Sequence, residues 1–145
     1  MTSLLPTKGK VFLDTNILVY QFDHTHPAKQ KMAQQLVAEA LLGERAVISS
    51  QVIQEFMNVA VGKFSTKLSS DELRLVMANV LQPLWAHVPS YEFYERALGL
   101  QTANSLSFYD ALIVQAAIDL GCTLLYSEDL QAGQQFGSLV IQNPF

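Results

Sequence analysis

The chain alternates short apolar runs with longer stretches in which apolar residues recur every three or four positions. Val11-Phe12-Leu13, "AVIS" at 46–49, "TLLY" at 123–126 and "SLVIQ" at 138–142 are the short runs. Runs of this length fit strands buried on both faces, as in a parallel sheet. A weaker one centres near Trp85 to Val88. Between the first two runs, Asn16 to Gln21 predicts a short helical piece. Pro27 then opens a helix whose stripe is Met32, Leu36, Val37, Ala40 and Leu41, with Gly43 at its end. Ser50 is expected to cap a helix carrying Val52, Ile53, Phe56, Val59 and Ala60. Ser69 and Glu72 have capping-box spacing before Leu73, Val76, Met77, Val80 and Leu81. These five and Trp85 are expected to pack as core, with a dimer surface or a groove for a partner segment as the alternative for some of them. Ser90 predicts a cap for Tyr91 to Leu100. Ser107 predicts another for the stripe Phe108, Leu112, Ile113, Ala116, Ala117 and Leu120, closed by Gly121. Strands alternating with amphipathic helices define an α/β class with a mostly parallel sheet. The 145 residues show no repeat, linker or low-complexity tract, so one domain spanning 1–145 is expected.

Charge adds a second pattern. The net charge of −4 gives no general attraction to nucleic acid. After Arg96 there is no lysine or arginine, while Asp110, Asp119, Glu128 and Asp129 all follow it. An acidic centre drawing on this third of the chain needs counter-charge from elsewhere, and a bound cation is one source. Cys122 is the one cysteine, which rules out an intrachain disulfide and reads as a small core residue. The start "MTSLLPTKGK" lacks the apolar segment of a signal peptide, and no apolar stretch has the length of a membrane span. A cytoplasmic protein with no membrane association is expected.

Four acids stand out by position. Asp14 directly follows the first apolar run, and Asp129 lies just past "TLLYSE". In open α/β sheets, ligands bind beyond the carboxyl ends of the strands. Turn and cap roles account equally well for an aspartate at either place. Glu55 borders the apolar stripe through Val52 and Val59, where a buried carboxylate needs a partner, a proton or a metal, unless it reaches out to solvent. Asp110 sits three residues after Ser107, a spacing that also suits a helix cap with an acid in the first turn. If the fold gathers these four, they raise one another's pKa values unless cations intervene. Oxygen donors without cysteine or a histidine cluster suit Mg²⁺ or Mn²⁺. His24, His26 and His87 are scattered and lack zinc-motif spacing; His24 and His26 are expected at the surface.

The segments "FLDTNILVY", "SSQVIQEFMNV", "LSFYDALIVQAA" and "LLYSEDLQAGQ" resemble those of PIN-domain ribonucleases, and look most like the VapC-type toxins of type II toxin–antitoxin systems. The closing "VIQNPF" has the same character. The resemblance implies an α/β/α sandwich around a parallel sheet of four or five strands. It implies that Asp14, Glu55, Asp110 and Asp129 form an acidic centre for Mg²⁺ or Mn²⁺. Thr15 or Asn16 would then steady Asp14 or the attacking water, with Ser127 assisting near the fourth carboxylate. The implied activity is endoribonuclease cleavage. A carboxylate-held cation would activate a water for in-line attack on phosphorus, leaving a 5′-phosphate and a 3′-hydroxyl. RNA preference would then come from binding rather than from the 2′-hydroxyl. The implied partners are an RNA substrate, a second copy of the chain in a homodimer, and a cognate antitoxin, with higher toxin–antitoxin assemblies built from them.

One departure is Gln131-Ala132-Gly133, where many relatives carry histidine; it bears on substrate or antitoxin contact rather than on the carboxylates. For phosphate contact, Lys63 and Lys67 after the Glu55 helix are the first candidates and Arg74 the next, although solubilising surface explains them as well. Two other readings compete. An aspartate-nucleophile phosphotransferase or phosphatase would use Asp14, but the phosphatases want a second aspartate where Asn16 stands, and these enzymes use a later lysine that the chain lacks. A catalytically silent RNA- or protein-binding module would keep the fold and cut nothing.

Overall fold

The computed structural model describes residues 2–62 and 68–145. Its centre is β1 (Lys10–Leu13), in which Val11, Phe12 and Leu13 are fully buried. β2 (Ala46–Ser49) lies on one side of it and β4 (Cys122–Tyr126) on the other, both parallel to it. β3 (Trp85–His87) extends the sheet beyond β2, and β6 (Leu139–Gln142) extends it beyond β4. The order β3-β2-β1-β4-β6 is parallel throughout. A sixth, two-residue strand, β5 (Gln135–Phe136), adds an antiparallel edge to β6. The five parallel strands meet the expected four or five, and β5 adds a short antiparallel edge to them. "QQFGS" is too short to show a period.

Helices join the strands and flank the sheet. α1 (Thr15–Tyr20) follows β1 directly, and α2 (Pro27–Gly43) and α3 (Ser50–Gly62) both pack on it. Pro27 opens α2 as expected, and Gly43 is its last residue before Glu44 turns left-handed at φ 55°. Ser50 does not cap α3. Ser49, at the end of β2, accepts from the Val52 N–H at 3.5 Å, while Ser50 lies within the first turn and donates to the His87 carbonyl.

α4 (Ser70–Val76) carries the complete Ser69–Glu72 capping box. It runs through one π-helical segment, Met77–Leu81, into α5 (Gln82–Leu84). The Gln82 N–H reaches back to the Met77 carbonyl across this widened turn. Pro83 comes next; it has no N–H to donate, and its ring would crowd a carbonyl in a regular helix, so a looser turn relieves the clash. Met77, where this segment begins, and Trp85 beyond it are both exposed, which corrects the expectation that both pack as core. Leu73 and Leu81 are buried as expected.

α6 (Tyr91–Asn104) and α7 (Phe108–Asp119) are capped by Ser90 and Ser107, and they pack on each other. In α7 the residues Ala111 to Ala117 are all buried. Gly121 takes φ 74° after it, a left-handed value that suits glycine. Cys122 is buried in the core, and burial pushes its thiol up to about 11. His24 and His26 lie at the surface. Among the described residues no helix is long and apolar enough to cross a membrane.

Candidate acidic active site

The sheet order reverses between β1 and β4, and the chain leaves both strands there for opposite sides. Such switch points open a crevice at the carboxyl ends of the strands. Asp14 and Ser127 are the first residues past β1 and β4. Each extends the ladder by one bond: the Asp14 N–H donates to the Tyr126 carbonyl at 3.0 Å, and the Ser127 N–H donates to the Gln142 carbonyl at 3.0 Å. The strands thus hold the two side chains next to each other.

Asp14 is 8% exposed and caps α1. Its Oδ1 accepts from the Thr15 N–H at 2.8 Å, and its Oδ2 accepts from Ser127 Oγ at 2.7 Å. Burial raises its pKa from 3.8 to about 6, against the opposing pull of the two hydrogen bonds, and the charges of Glu55 and Asp129 push the same way as burial. Two acids brought from distant segments therefore act on Asp14 through space.

Ser127 is fully buried and ties the floor together. Besides donating to Asp14, its Oγ accepts from the N–H groups of Asp129 and Leu130, each at 3.2 Å. Asp129 is exposed and receives Asn16 Nδ2 at 3.2 Å. Glu55 is exposed rather than buried against the stripe, so it leans out at the stripe's edge. It still meets Thr15 Oγ1 at 3.3 Å and Gln51 Nε2 at 3.1 Å. Asp110 is half-buried in the first turn of α7, where its N–H donates to Ser107 Oγ at 3.1 Å. Its link to the others runs through Gln51 Nε2, which also donates to the Tyr109 carbonyl at 3.2 Å.

Gln51 escaped the sequence reading. The signal available was its place one turn before Glu55 on the same helix face. Two buried side-chain atoms among the described residues lack a hydrogen-bond partner, and both are amide oxygens of this site: Asn16 Oδ1 and Gln51 Oε1. A second missed cluster braces the turn from behind. Lys29 Nζ and the Tyr20 hydroxyl reach Glu128 at 2.7 and 2.6 Å, and Lys29 also lies over the Tyr20 ring. Burial pushes the Glu128 carboxyl up, but these two partners outweigh it and hold the group below its usual range.

Asp14, Glu55 and Asp129 thus act on one another past the ends of β1 and β4, with Asp14 at the bottom, while Asp110 is linked to them through the neighbouring Tyr109 carbonyl and Gln51. Among the described residues no group of three or more histidine, cysteine or acidic side chains stands close enough to hold a metal ion. Lys63 and Lys67 lie outside the described residues. Arg74 ion-pairs with Asp71 at 3.2 Å, beside an apolar cavity of about 570 Å³ bounded by Ile53, Met77, Leu81 and Trp85. Ala132 is exposed in the turn before β5, at which the Gly133 N–H donates to the Ile141 carbonyl.

The sequence matches the PIN domain over residues 11–134, and the chain belongs to that family. Solved structures share the fold at low identity. A toxin–antitoxin complex from Klebsiella pneumoniae matches with a TM-score of 0.65 at 23% identity, covering 94% of this chain and 98% of that one. VapBC2 from Rickettsia felis, bound to a DNA fragment from its promoter, gives 0.62 at 18% identity, covering 92% and 97%. DNA-bound VapBC from Salmonella typhimurium gives 0.62 at 16% identity, covering 95% and 100%. No curated protein matches the sequence.

Proposed function

We propose that this PIN-domain chain is a divalent-cation-dependent endoribonuclease acting as the toxin of a toxin–antitoxin pair. The observation that carries this reading is Asp14: a buried carboxylate at the switch point, raised to about 6, with Glu55 and Asp129 adding negative charge around it. A site with this much uncompensated acid suits a hard cation, and two buried amide oxygens without donors add neutral oxygen ligands or water acceptors. Asp14, Asp110 and Asp129, with Glu55, are the residues that would hold Mg²⁺ or Mn²⁺, and they would have to draw in on the ion from the separated positions they take without it. When bound, such an ion supplies charge neutralisation at a phosphate and a more acidic water.

The chain's own residues have separate tasks in this reading. Ser127 aims Asp14 and partly offsets the burial that favours its protonated form by donating to Oδ2, and the Thr15 N–H does the same at Oδ1. Asn16 orients Asp129, while Thr15 Oγ1 and Gln51 orient Glu55. Preorganised acceptors of this kind lower the cost of arranging charge during reaction. In-line attack by water leaves a 5′-phosphate and a 3′-hydroxyl. The antitoxin partner is supported by the likeness to a complex whose name includes one, and the homodimer is part of the same proposal.

The test is RNA cleavage by antitoxin-free protein in Mg²⁺, Mn²⁺ or EDTA, beside Asp14→Asn. Cutting that needs the cation and vanishes in the variant is expected. Equal cutting by both proteins in EDTA overturns the mechanism, and cation binding without cleavage of any RNA leaves a silent binding module.

A further inference from the structure

We propose that the cavity between α3, β3, α6 and the start of α7 is a nucleobase pocket, which seats an unstacked base of single-stranded RNA beside the acidic site; the proposal rests on the nuclease reading. The cavity holds about 310 Å³, at the lower end of ligand-pocket sizes and suited to one base rather than a helix. Its walls include Gln51, Gln54, His87, Tyr94, Phe108 and Tyr109.

Three features select a base as the occupant. First, the wall and the acids share a residue. Gln51 Nε2 bonds both Glu55 and the Tyr109 carbonyl, and Tyr109 immediately precedes Asp110. A base seated against Tyr109 therefore has its phosphate within reach of the same first turn of α7. Second, aromatic rings stand outward here although burial would reward them: Tyr109 is 70% exposed, Tyr94 44% and Phe108 39%. Phe108 and Tyr109 lie edge to face at 6.4 Å, and Phe93 backs Tyr94 at 5.6 Å. Exposed rings beside a polar rim are the stacking platforms that single-stranded RNA uses. The Gln54 amide supplies the rim with donors and an acceptor that suit a base edge, while the Gln51 amide hydrogens are engaged by Glu55 and the Tyr109 carbonyl and fix that wall. Third, the chain carries no lysine or arginine after Arg96, so α7 cannot grip RNA through phosphate–cation contacts. Stacking is the neutral means of holding the strand on this side.

The test uses Asp14→Asn protein in Mg²⁺ and short single-stranded oligoribonucleotides with 2-aminopurine placed at each position in turn. One position should be quenched on binding. Adding Tyr109→Ala should abolish that quench and weaken binding about 5- to 150-fold, while Tyr109→Phe should stay within about twofold. In the cleavage-competent protein, Tyr109→Ala should raise KM more than it lowers kcat. Tyr109 is exposed, so melting temperature and the molar mass by light scattering should not change. Unaltered binding and quench in Tyr109→Ala, or no RNA binding by Asp14→Asn, overturns the pocket. A change of oligomeric state in Tyr109→Ala also overturns it and makes the aromatic patch a contact between copies. Normal KM and kcat in Tyr109→Ala sink the pocket and leave the nuclease reading standing. Parent protein that cuts no RNA sinks the nuclease reading itself.

Discussion

Asp14→Asn should stabilise the metal-free protein at neutral and alkaline pH while removing its activity. The Asp14 carboxyl has a pKa of about 6 in the fold against 3.8 unperturbed. The folded state therefore holds this proton more tightly than the unfolded chain does. Its contribution to stability is fully present below 3.8 and is lost as pH rises through about 6. The interval corresponds to roughly 3 kcal/mol by pH 8. Asparagine avoids the buried charge and still offers Oδ1 to the Thr15 N–H. Its amide meets Ser127 Oγ, which already accepts from Asp129 and Leu130, and that crowding offsets about 1 kcal/mol or more. A net gain of about 1–2 kcal/mol at pH 8 follows, or roughly 3–7 °C in melting temperature for a chain of this size. Thermal unfolding in EDTA from pH 4 to 8, followed by circular dichroism, measures it. The gain should shrink to nothing or reverse near pH 4. Added Mn²⁺ should raise the melting temperature of the parent and barely move the variant. A variant less stable than the parent at pH 8, or a difference that does not depend on pH, refutes the reasoning.

Ser127→Ala removes a buried donor to Asp14 and the acceptor of two backbone N–H groups, so urea unfolding should show a loss of about 2–4 kcal/mol together with loss of RNA cleavage. Ser107→Ala should cost about 1 kcal/mol by fraying the first turn of α7, and calorimetry should show weaker Mn²⁺ binding because that turn presents Asp110. Leu125→Ala, at a fully buried position near the end of β4, should cost about 2–5 kcal/mol in denaturant unfolding with no selective effect on Mn²⁺ binding by the folded fraction.

What was legible in the sequence follows from how local each cause is. β1 and β2 show as apolar runs because Val11 to Leu13 and Ala46 to Ser49 are all buried, β4 and β6 show because most of their residues are apolar, and the Ser69, Ser90 and Ser107 caps show because a cap acts over three residues. The place of Asp14 at the end of a buried strand was legible for the same reason. Less local causes were hidden. The π-helical segment ahead of Pro83, at whose start Met77 is exposed, is one that no 3.6-residue period reveals. Ser49 rather than Ser50 caps α3 because the strand ends one residue earlier than the polar pair suggests. Ser127 was read as an assistant near Asp129, whereas its strongest contact is with Asp14, across the β1–β4 pairing. Of the two contacts of Gln51, the one to Glu55 was within reach of the helix period, whereas the one to the Tyr109 carbonyl, 58 residues away, was not.

The most direct measurement of the central claim is the chemistry of the cut ends, using an RNA and the same RNA with a single 2′-deoxy substitution at the cleavage position. Water attack at a carboxylate-held cation predicts 5′-phosphate and 3′-hydroxyl ends from both, formed in Mg²⁺ or Mn²⁺ and not in EDTA. A 2′,3′-cyclic phosphate, or cleavage that fails only in the 2′-deoxy substrate, would contradict it.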